Sequence, residues 1–161
     1  MTRWRDIPHL VRRFFGSFRA RRPDPEAQSM VAAALSDGEA ELFWAQPVVD
    51  QAHAVRVARR LRAVAPDRDD LLPAALLHDV GKQDARLGTV GRSMATLCAM
   101  VGLPRTRRMR RYLDHAAVGA DELRSVGSAP VTVAFAAHHH ETAAEGVDPK
   151  TWALLREADH E

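Results

Sequence analysis

The apolar run Ala74-Ala75-Leu76-Leu77 ends on an ionisable pair, His78-Asp79, and no other stretch limits the possible folds as strongly. Four consecutive apolar residues read as a helix buried on all sides. A carboxylate at the end of such a helix cannot stay charged in an apolar interior unless other groups neutralise it. Something near this one helix end must therefore neutralise it. Hydrophobic residues make up 46% of the 161-residue chain, yet aromatics only 6%, and alanine is abundant. Strand formers are scarce and helix formers plentiful, so the composition predicts an all-α fold and excludes an extended sheet.

Charge divides the chain into two parts. Residues 1–22 carry seven arginines against Asp6, a net +6, which leaves the remainder at −4. The pI of 9.2 thus belongs to an arm, and specific nucleic-acid binding is not expected of the body. In the arm, Ile7, Leu10, Val11, Phe14 and Phe18 fall at helical spacing, with Arg5, Arg12, Arg13 and Arg19 beside or off the stripe. Such an amphipathic helix suits docking on the body or a partner subunit, as in a homo-oligomer, or peripheral contact with an anionic membrane surface. Residues 1–25 are read as arm and linker, and 26–161 as the folded helical domain. Arg12 and Arg13 interrupt the apolar stretch a signal peptide needs, and no run is long enough to span a bilayer. Cys98 is the single cysteine and cannot close an intramolecular disulfide, which points to the cytoplasm.

The punctuation of the body is that of a helical bundle. Ser36 and Glu39 stand at capping-box spacing, opening a short helix that ends by Pro47. The next helix runs through Val48, Ala52, Val55 and Leu61 and carries His53, with Asp50 one turn earlier as an acceptor for its ring or as a plain surface acid. Asp69 or Asp70 is expected to cap the buried helix, whose first turn tolerates Pro73, and Gly81 to stop it. Further helices are predicted over 91–101, 105–125, 129–141 and 149–160, the last two opened by Ser128 before Pro130 and by Asp148 before Pro149.

Six histidines and two acids recur through this bundle: His53, His78-Asp79, His115, His138-His139-His140 and Asp159. Imidazole with carboxylate is a ligand mixture for Mn, Fe, Co, Ni or Zn, and a divalent ion would resolve the charge of Asp79. A closed structural zinc site is disfavoured, because those prefer cysteine and need only four ligands. His53, then Leu76-Leu77-His78-Asp79-Val80-Gly81-Lys82, then Ala158-Asp159 resemble the H…HD…D signature of HD-domain metal-dependent phosphohydrolases. Asp114-His115-Ala116-Ala117-Val118-Gly119-Ala120 and the three consecutive histidines resemble the extra elements of two-metal HD subfamilies. The resemblance covers about residues 46–160.

It implies an HD-domain-like helical bundle holding one or two divalent transition metals, or Mg. His53, His78, Asp79 and Asp159 would hold one ion, and Asp79 would bridge to a second held by His115, His138 and His139. The register of that helix end leaves open which two of the three histidines are ligands, with His140 the third choice. Asp159 is otherwise a solvated helix-end acid. Asp79 and Lys82 would be catalytic, Lys82 lying beside the substrate phosphate or simply complementing the helix dipole. Arg111, four residues before His115 on one helix face with Arg108, is a second candidate for phosphate, against the alternative of a solvated basic face.

The resemblance implies hydrolysis of a phosphate ester or anhydride in a small phosphorylated substrate, a nucleotide foremost. A non-catalytic regulatory or binding module on the same scaffold is the alternative. Cyclic-dinucleotide phosphodiesterases of this superfamily carry Gly-Tyr-Pro after the paired histidines. Here Glu145-Gly146-Val147-Asp148-Pro149 stands in that region and the tyrosine is missing.

Overall fold

A computed structural model describes residues 22–83 and 115–160. Among them are seven α-helices and no strands. They are α1 (Pro25–Ala34), α2 (Asp37–Ala45), α3 (Val48–Val64), α4 (Leu72–Leu77), α5 (His115–Ser125), α6 (Pro130–His138) and α7 (Pro149–Asp159). Short 3-10 turns precede and follow α4 at Asp69–Leu71 and Val80–Gln83. The arm, the 91–101 helix and the first part of the 105–125 helix lie outside the described residues.

The buried helix anticipated from the apolar run is the hub. α1, α2, α3, α6 and α7 all pack on α4. Leu72, Ala74, Ala75, Leu76 and Leu77 are buried, as a helix apolar all round requires. At its C-terminal end the floor of the core is aromatic, with the Phe135 ring 5.9 Å from that of His78 and 5.3 Å from that of Trp152. This places the ionisable pair where water is excluded.

The helix starts follow the sequence in part. The Ser36–Glu39 capping box forms at α2, and α2 ends at Ala45 ahead of Pro47. Asp148 caps α7, its Oδ2 accepting from the Thr151 amide at 2.9 Å. Asp148→Ala is therefore expected to lower the midpoint of a thermal melt by removing the cap on α7. Asp69 and Asp70 do not cap α4. Each accepts a paired hydrogen bond from an arginine, Arg62 and Arg68 respectively, and the 3-10 turn supplies the helix entry instead. The entry to α6 likewise has no side-chain cap: Ala129, not Ser128, is the N-cap residue.

Gly81 also plays a different part from the one expected. α4 already ends at Leu77, and the described glycines with positive φ are Gly127 and Gly146. Gly81 is instead the point where α5 crosses the turn after α4. A β-carbon on Gly81 would lie 2.1 Å from the His115 carbonyl oxygen and 2.5 Å from the Gly119 amide nitrogen. Only a bare backbone admits this approach. Gly119 sits inside α5, where glycine costs about 1 kcal/mol relative to alanine, and the crossing explains its presence.

Candidate metal centre

Asp79 lies at the middle of the cluster, buried at the end of α4. Its Oδ2 faces one group of side chains: Lys82 Nζ at 2.5 Å, His78 Nε2 at 3.5 Å and His53 Nε2 at 3.9 Å. Asp159 Oδ1 closes this side at 3.3 Å from both His53 Nε2 and His78 Nε2. Asp79 Oδ1 faces a second group, with His115 Nε2 and His139 Nε2 each at 3.6 Å. Four elements thus converge on the first side, α3 with His53, the C-cap of α4 with His78, the turn Val80–Gln83 with Lys82 and α7 with Asp159. The α5–α6 pair supplies the second.

The rings are aimed by the backbone. His78 Nδ1 lies 3.0 Å from the Ala75 carbonyl oxygen and His139 Nδ1 3.2 Å from that of Ala136. With that nitrogen donating its proton, Nε2 is the nitrogen left facing the acids and would carry the lone pair towards a bound metal, which is how metal-binding histidines are held.

The electrostatics agree with a cationic demand at Asp79. Burial opposes its ionisation, but the Lys82 ammonium and then the His78 ring outweigh it and hold the carboxyl well below the usual range. Burial also opposes ionisation of Asp159, and hydrogen bonds from His53 and His78 outweigh it and hold that carboxyl low. His139 is pushed down to about 3 by burial and by the neighbouring His78, so its ring is neutral near pH 7. Burial disfavours charge on His78, but the Asp79 and Asp159 carboxylates outweigh it and raise that ring's basicity.

The residues fit metal ions on geometry as well as on charge. Asp79 Oδ1 and His139 Nε2 are buried with no hydrogen-bond partner among the described residues, a costly condition unless a further group sits between them. Two triads, His53–His78–Asp79 and His115–His139–His140, each bring their ligand atoms within 4.8 Å of one another. Ligands about 2.0–2.2 Å from one ion lie about 3–4 Å apart, close to the spacings seen.

The structure differs from the sequence reading on the histidine run. His138, favoured with His139, is the last residue of α6 and faces away. Its Nδ1 lies 2.8 Å from Glu141 Oε1 and its side chain is 47% exposed. His139 turns inward, and His140, the third choice, stays exposed at the rim with its ring 5.6 Å from that of His115. About 100° of rotation per helical residue separates the first two, and the chain leaves the helix after His138, which carries His140 round to the His115 side. Asp159 stands against His53 and His78, at 24% side-chain exposure, rather than in solvent. Asp50 is buried one turn before His53. Arg111 and Arg108 lie outside the described residues. The sequence reading missed any role for Gly119, although a glycine four residues after His115 in a helix is the signal that could have found it.

A small all-helical bundle with a histidine- and aspartate-lined centre at the end of its hub helix is the class that the fold and site define. The chain matches the HD domain family over residues 51–160 and belongs to it. Comparison with curated proteins and with solved structures finds no match. No helix among the described residues is long and apolar enough to cross a membrane.

Proposed function

We propose that this chain is an HD-type metal-dependent phosphohydrolase, cleaving a phosphate ester or anhydride in a nucleotide or related small molecule. The observation that carries the proposal is the division of Asp79, whose two carboxylate oxygens face two separate sets of imidazoles. His53, His78, Asp79 and Asp159 would hold one divalent transition metal. Asp79, His115, His139 and His140 would hold the second, with His140 replacing His138 in the expected set. When bound, two such ions lower the pKa of a water toward neutrality and neutralise charge on phosphoryl oxygens.

The side chains have distinct duties. Asp79 joins the two halves of the centre and, ionised at neutral pH, supplies the charge that retains cations. His78 and His139 present Nε2 with their rings fixed by backbone carbonyls. Phe135 keeps the floor dry, which strengthens every charge interaction above it. Lys82 brings a largely buried ammonium next to Asp79, where it can balance a substrate phosphate.

The test is phosphate release from a panel of nucleotides, dinucleoside polyphosphates and 4-nitrophenyl phosphate, using protein loaded anaerobically with Mn or Fe(II). Metal-dependent turnover abolished by chelator is expected. Lys82→Ala is expected to lower kcat about 10²-fold while the ion count stays unchanged. Protein that binds its ions yet turns over no member of the panel would favour the binding-module reading.

A further inference from the structure

The two halves of the centre are attached to the protein differently. His53 and Asp159 stand on α3 and α7 and His78 caps the end of α4, and these three helices pack on one another. His115 stands at the start of α5, which packs against α6 and against the turn Val80–Gln83. We infer, on the two-ion reading above, that the Gly81–Gly119 crossing is a positioning element for the second ion alone. It sets how closely His115 approaches Asp79.

The geometry is direct. The added β-carbon at Gly81 would meet the carbonyl oxygen of His115 itself, at 2.1 Å, as well as the Gly119 nitrogen. A β-carbon on Gly119 would lie 2.9 Å from the Gly81 nitrogen and 3.1 Å from Val80 Cγ1. Most of these obstacles are backbone atoms, so a methyl group is accommodated by moving α5 outward. His115 then moves with it, and its Nε2 is already 3.6 Å from Asp79 Oδ1. None of the first ion's imidazoles lies on α5. Alanine is also the better helix former, so Gly119→Ala changes the crossing without weakening the helix that carries it.

Manganese(II) titration into the full chain after chelator stripping, with free ion read by electron paramagnetic resonance, separates the two positions. Wild type is expected to take two ions. Gly119→Ala should keep one at wild-type affinity and bind the other about 10- to 100-fold more weakly, the range typical of lost ligand support. Gly81→Ala should lose more of the second ion. If Gly81→Ala does not fold, the milder clash at Gly119 decides. Leu123→Ala, which opens a core cavity on the same helix, should lower the melting temperature and still take two ions. The inference is overturned if Gly119→Ala binds both ions as wild type does, or if both affinities fall together. A wild-type chain that takes fewer than two ions overturns the two-ion reading itself.

Discussion

Asp79→Asn is expected to take bound metal from two ions per chain to none and to reduce phosphate release by about 10³-fold or more. Asparagine keeps the shape of the side chain and removes its charge, so the packing at the end of α4 is retained. Both halves of the centre depend on that charge, because one oxygen faces His53 and His78 and the other faces His115 and His139. No other carboxylate among the described residues stands between them. Elemental analysis alongside a turnover assay reads both effects. Retention of one tightly bound ion would mean that Asp79 is not shared.

The second large effect separates two neighbouring histidines. His139→Ala is expected to drop the ion count from two to one and turnover by at least about 10²-fold, whereas His138→Ala leaves both near wild type. The cause is burial. His139 faces Asp79 at 3.6 Å with its ring fixed on the Ala136 carbonyl, and His138 is exposed beside Glu141. The same ion count and kinetics on the two variants decide it. Equal losses in both would show that the helix end adopts another register when ions are bound.

Much of this architecture was legible because it rests on local chemistry. The run ending at His78-Asp79 marks the hub helix, since apolar residues on every side of a helix leave it nowhere but the core. The capping box at Ser36 and the aspartate before Pro149 mark helix starts by satisfying their own backbone amides. The order of His53, His78-Asp79, His115, the histidine run and Asp159 marks the centre, because few other reasons gather so many ligands along one bundle.

The remainder depends on long-range geometry. Asp69 and Asp70 look like caps, but arginines within reach bind both carboxylate oxygens of each and win them. Which of His138, His139 and His140 turn inward depends on where α6 ends, and a shift of one residue rotates a side chain by about 100°. Gly81 reads as a helix stop from its neighbours alone. Its actual constraint is the backbone of α5, 38 residues further along, approaching it at Gly119.

The most direct test of the shared centre is anomalous scattering from crystals of the chain grown with manganese. Two peaks about 3.5–4 Å apart are expected on opposite oxygens of Asp79, one against His53, His78 and Asp159 and the other against His115, His139 and His140. No peak at Asp79, or a single peak that leaves one set of imidazoles without metal, would contradict the account.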